Sequence, residues 1–182
     1  MRRLGLALTG MAIVAAACGS PSLPTAAAPA SPIALSTVGQ FSLGLTLPKL
    51  VWKAGEPVSG TATLRGAGSS PLVLVGAGSG LIVFDFAEVG GQRRVLGVST
   101  ADCAPHALAP GTPMVAPITV SAGFDPANPS DTWLSRAMSP GTAGAELPPG
   151  TWDVTARATF YEGTCGGASY TITATVRITV SG

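Results

Sequence analysis

Four residues of the 182-residue chain have the side chains that zinc chemistry asks for: Asp102, Cys103 and His106, gathered in "DCAPH", and the distant Cys165. Thiolate, imidazole and carboxylate are the ordinary zinc ligands, but a structural site draws them as spaced pairs, and no second pair with metal-site spacing accompanies this one. The competing chemistry is a disulfide between Cys103 and Cys165, with His106 an exposed loop residue. Other reactive groups lead to less. His106 is the single histidine, and Ser79 in "GAGSG" lacks the Gly-x-Ser-x-Gly spacing of a hydrolase nucleophile. The glycines from Gly76 to Gly80 match neither the dinucleotide nor the phosphate-loop pattern. Asp125, Asn128 and Asp131 in "FDPANPSDTW" offer oxygen atoms to calcium without the pattern of a dedicated loop, and such residues beside prolines serve turns. Asp85 and Glu88 are near each other in sequence, with nothing to make them a catalytic pair. With no group set to abstract protons, hold a cofactor or bind metal, the expectation is a chain that is not an enzyme and needs no cofactor.

The choice between zinc and disulfide depends on compartment, which the first residues address. "MRRLGLALTGMAIVAAAC" has Arg2 and Arg3, an uncharged apolar run too short to span a bilayer permanently, and the small residues Ala15, Ala16 and Ala17. This is the form of an export signal, and an oxidising destination favours the disulfide. The small residues followed at once by Cys18 and "GSPSLPTAAAPASP" resemble the lipobox of bacterial lipoproteins, with Ala15 where that family usually has Leu. The resemblance implies that residues 1–17 are removed and that Cys18 carries the lipid, anchoring the chain to the cell membrane on its extracytoplasmic side. Acylation of Cys18 also leaves an even pair of cysteines.

Residues 18–38 are read as a linker: Pro21, Pro24, Pro29 and Pro32 stand among Ala, Ser and Thr, with no charge and no sustained apolar period. Residues 39–182 are then one domain, large enough to bury a core. Of ten Lys and Arg and nine Asp and Glu, removal of Arg2 and Arg3 leaves eight basic residues against nine acidic ones. A nearly neutral chain without a basic patch gives no reason to expect a nucleic-acid partner.

From Phe41 onward the dominant period is two. "FSLGLTL", "PVSGTATLR", "PMVAPITVS", "TWDVTARATF" and "SYTITATVRITVS" alternate apolar and polar residues, "PLVLV" and "LIVFDF" are denser apolar runs of strand length, and "RRVLGV" is shorter. Glycine and proline corners separate them, and only "PSDTWLSRAM" offers a capped turn of helix. The expectation is an all-β, immunoglobulin-like antiparallel β-sandwich of roughly seven to eight strands. Trp152, Phe160 and Tyr170 are expected in or near the core, with the last two strands a hairpin closed around "EGTCGG".

Sandwich strands hold their loops at two ends. Gly76–Gly80, Ala101–Pro113 and Phe124–Pro148 are therefore the expected contact surface, and the last, long for a connection, carries Phe124, Trp133 and Met138. The series "AGEPVSGTATLRGAGSSPLVLV", "GLIVFDFAEVGGQRRVLGVS", "LAPGT" and "LPPGTWDVTARATF" resembles the intracellular proteinase inhibitor family, the BsuPI-type domain, over residues 44–161. "RGAG" replaces the asparagine usual after its second strand. The resemblance implies an immunoglobulin-like fold and proteinase inhibition. The residues themselves point to a tethered, non-enzymatic module that binds another envelope or extracellular protein, with a structural spacer as the plainer use of the same parts.

Overall fold

The computed structural model of the chain describes residues 32–122, 133–134 and 144–182. Its elements are the strands β1 (Ile33–Val38), β2 (Phe41–Thr46), β3 (Val51–Lys53), β4 (Pro57–Val58), β5 (Thr61–Gly66), β6 (Leu72–Gly76), β7 (Ile82–Glu88), β8 (Arg94–Val95), β9 (Ala104–Leu108), β10 (Met114–Pro117), β11 (Ala145–Glu146), β12 (Gly150–Glu162) and β13 (Ala168–Ser181). They form a small sheet in the order β1-β2-β5-β10 and a larger one in the order β3-β13-β12-β6-β9. In the larger sheet β7 also pairs with β12, and β8 with β7, while β4 and β11 make a separate pair. The fold is an all-β sandwich. Among the described residues no helix is long and apolar enough to cross a membrane.

β12 and β13 organise the rest. Thirteen consecutive residue pairs, from Gly150 opposite Val180 to Glu162 opposite Ala168, run without a bulge. Such a ladder is about 40 Å long. Its turn needs residues in the left-handed region, and Gly163 (φ 81°) and Gly166 (φ 86°) supply them. Along β12 the inward residues Trp152, Val154, Ala156, Ala158 and Phe160 are all buried, and on β13 Ile172, Ala174, Val176 and Ile178 complete the layer. The facing layer comes from Phe41, Leu43 and Leu45 of β2 with Ala62 and Leu64 of β5. Phe41 joins the two, its ring centroid 4.9 Å from that of Phe160 and 4.8 Å from that of Tyr170, both edge-on.

Several boundaries differ from the sequence expectation. β1 pairs with β2 along its whole length, so the last six residues assigned to the linker, 33–38, belong to the sheet. Among the described residues there are more than eight strands, because β1 and β9 were expected as linker and loop and because β3, β4 and β11 are two or three residues long, below what a period can reveal. The segment "APHAL", expected as loop, is β9; it pairs with β6 at the sheet edge, where Pro105 is tolerated because one side of an edge strand needs no donor. One pairing is parallel, β3 against the end of β13.

Beyond β8 the chain is fastened to β7 by side-chain chemistry. Asp85 accepts from Gly97 N at 2.8 Å and from both Nε and Nη2 of Arg157, and Arg157 Nη2 also donates to Gly97 O at 2.9 Å. The close approach depends on glycine: a Cβ at position 97 would lie 2.7 Å from Phe84 O and 3.0 Å from Phe84 N, both backbone. Gly97→Ala is expected to destabilise the domain by about 1–3 kcal/mol in urea unfolding. Gly68→Ala, whose added carbon meets nothing nearer than 3.5 Å, is expected to be close to neutral.

Candidate functional site

The ladder gives the domain two ends with different chemistry. At the hairpin end, Cys103 and Cys165 are joined in a disulfide, Cα to Cα 5.9 Å, tying the segment before β9 to the β12–β13 turn. Cys103 itself stands in the left-handed region at φ 51°. Around it, Asp102 accepts from Gly78 N at 2.7 Å and from the Thr100 hydroxyl at 2.8 Å. The first of these bonds, with the second, holds the Asp102 carboxyl below its ordinary range. His106 Nε2 lies 2.8 Å from the Ala77 carbonyl oxygen. All four residues weighed for zinc thus have other partners, and two of the expected contact loops, Gly76–Gly80 and Ala101–Pro113, are fastened to each other. Asp85 and Glu88 pair with Arg157 and Arg93.

At the opposite end a cleft of about 180 Å³ opens between Ala54 and Gly55 on one side and Leu147, Pro148 and Pro149 on the other, with Trp133 and Glu146 also in its wall. Its floor explains its shape. Trp152, fully buried, donates from Nε1 to Pro148 O at 2.9 Å and so fixes the proline corner. The indole of Trp133 tilts against that of Trp152, centroids 5.4 Å apart, which leaves Trp133 half-buried: one part packs on the core and the rest faces the cleft. Behind Pro149, Arg93 donates to Pro149 O at 3.1 Å, sits 5.3 Å from the Trp152 ring centroid, and is paired with Glu88. That pairing keeps the Glu88 carboxyl below its usual range and makes Arg93 a still weaker acid.

A second groove of about 290 Å³ runs between Ser79–Ile82 and β10. Its wall contains no aromatic and no charged residue, whereas the cleft at the Trp152 end has an indole and the acidic residue Glu146, the combination that gives recognition sites both area and orientation.

The expected binding residues are thus divided. Trp133 lines the cleft, while Phe124 and Met138, with the calcium candidates Asp125, Asn128 and Asp131 and the lipidation candidate Cys18, lie outside the described residues. Sequence reasoning missed Ala54 and Gly55, which lie at the turn after β3 and come to the cleft only through the parallel pairing of β3 with β13. Glu146, Leu147 and Pro148 fall inside the expected contact segment Phe124–Pro148, although none of them was singled out within it.

No family model matches the chain, and no curated protein matches it. Among solved structures, the crystal structure of the sporulation control protein Spo0M from Bacillus subtilis is similar at 15% identity and a TM-score of 0.39. The match covers 80% of this chain and 51% of that one, so this chain spans about half of its length.

The disulfide closes a loop with a sequence separation of 62 residues, for which the chain-entropy model gives about 4 kcal/mol. The Cys103→Ser/Cys165→Ser double variant is therefore expected to lose about that much stability in denaturant melts. The cleft, at the other end of the ladder, should keep its Trp133–Trp152 near-ultraviolet circular dichroism.

Proposed function

We propose that this chain is an exported, lipid-anchored, non-enzymatic module that binds another protein of the cell envelope or its surroundings through the cleft at the Trp152 end. The observation that carries the reading is Trp133, an indole braced by a buried second indole and left with a face toward an apolar cleft. Aromatic anchors of this kind dominate protein interfaces because they add contact area with little loss of side-chain freedom. The size of the cleft selects the class of ligand. At about 180 Å³ it is below the ~300–1,000 Å³ of small-molecule and cofactor pockets, and it suits a side chain presented by a partner protein. Export and anchoring rest on the signal-like first residues and Cys18.

A second reading, proteinase inhibition, draws on the other end. The loops at Gly76–Gly80 and Asp102–His106 are held by a disulfide, two hydrogen bonds to Asp102 and one contact from His106, and a loop braced before binding loses little entropy on meeting an enzyme. The two readings use opposite ends of the domain, so one experiment separates them. A photo-crosslinking residue replacing Ala54 in the full chain, in its native envelope, is expected to capture a discrete protein, and capture is expected to disappear with Trp133→Ala. A label at position 105 is expected to capture none. Capture of a proteinase at position 105 alone would replace the first reading by the second, and equal products at both positions would remove both.

A further inference from the structure

We propose that the corner of the domain beside its tether rests on the lipid surface, so that the cleft opens at the level of the membrane. This rests on the lipid-anchor reading above. The corner is defined by where the chain arrives: Leu47 N donates to Pro32 O at 3.0 Å, and Ile33 pairs with Thr46. Leu50 lies three residues beyond Leu47, hence within about 11 Å of that point. Here three aliphatic side chains face solvent, Ile33 at 67%, Leu50 at 46% and Val51 at 61% exposure.

The outward face of β13, in the sheet that carries Val51, is different. Along β13, Thr171, Thr173, Thr175 and Thr179 point out with Arg177, which is paired with Asp153. Exposed aliphatic side chains also occur elsewhere, among them Leu35, Leu96, Val98 and Val115, so it is the arrival of the tether that selects this corner. Lys49 and Lys53 flank it; Glu56 accepts from Lys49 Nζ and from the backbone N–H of Lys53, and these bonds hold its carboxyl below the usual range, so it stays charged. Among Lys49, Lys53 and Glu56 the net charge is positive, the sign that anionic lipid attracts, while Glu146 on the other wall of the cleft is acidic.

A patch this small does not bind a membrane from solution. Tethering changes the requirement. The fourteen residues from Gly19 to Pro32 reach at most about 50 Å even when fully extended, and short tethers raise the local concentration of their two ends to the millimolar range. A weak apolar and electrostatic contact is then sufficient to orient the domain. Ala54 and Gly55 of the cleft wall follow Lys53 directly, so a domain seated on this corner offers the cleft to a partner that is itself at or in the membrane.

The test uses the full lipidated chain in vesicles of phosphatidylcholine and phosphatidylglycerol, with a nitroxide on Val51→Cys and, as control, on Thr173→Cys. The expected result is that position 51 gains collisions with oxygen and loses collisions with a water-soluble nickel chelate relative to the Cys18→Ser chain in solution. Position 173 is expected not to change, and the shift at 51 is expected to be lost in a Leu50→Ser/Lys53→Glu background. A nitroxide at 51 as open to the nickel chelate as that at 173 would overturn the contact while leaving the anchor in place. One shielded from both reagents would overturn it too, since a second copy or another protein would then cover the corner. If the Cys18→Ser chain floats with vesicles as the normal chain does, the anchor reading fails, and the label at 51 still reports on the corner. A normal chain that does not float overturns both.

Discussion

The unbroken ladder between β12 and β13 is the constraint on which the domain depends. Because thirteen pairs hold one register, every second residue of both strands is committed to one face, and a slip of β12 by one residue would turn Trp152, Val154 and Phe160 outward together. The small sheet has a defined surface to pack on for that reason, and Phe41 meets both Phe160 and Tyr170 edge-on because those two rings are stacked at opposite positions of the ladder. The same ladder carries β7 along its other edge and receives β3 at its end, so segments far apart in sequence meet only after it has formed.

Length also separates the two kinds of surface. The hairpin end is covalently closed and its loops are hydrogen-bonded to one another. The other end is built from side chains packed on Trp152: a proline corner fixed by the indole N–H, an arginine over the ring, and Trp133 leaning on its edge. A site made this way has a rigid floor and a wall fixed by hydrogen bonds at Ala54, Pro148 and Pro149, a combination suited to receiving a partner's side chain. The chain from Cys18 also arrives at this end, which links the proposed recognition surface to the proposed membrane surface.

Much of the fold was legible in the sequence where burial imposes a period. "TWDVTARATF" and "SYTITATVRITVS" alternate because each lies between core and solvent, and they became β12 and β13; "LIVFDF" became β7 by the same physics. β1 was not legible, since Ala34 is its main inward apolar residue and Pro, Ser and Thr around it resemble a linker. β9 was hidden by Pro105, and β3, β4 and β11 by their length. Of the site, Trp133 was visible as an aromatic in a long loop. Ala54 and Gly55 carry no local signal, because what brings them to the cleft is pairing between distant strands. The cysteine pair was readable from counting and compartment, without any geometry.

On the proposed function, this domain meets its partner at the Trp152 end. Amide hydrogen exchange on the full chain, compared between native membranes and the purified protein in detergent, tests it most directly. Added protection is expected in the membrane at residues 50–55 and at Glu146 and Leu147, and none at residues 103–106 or 163–167. Protection confined to the disulfide end, or absent at both, would contradict it.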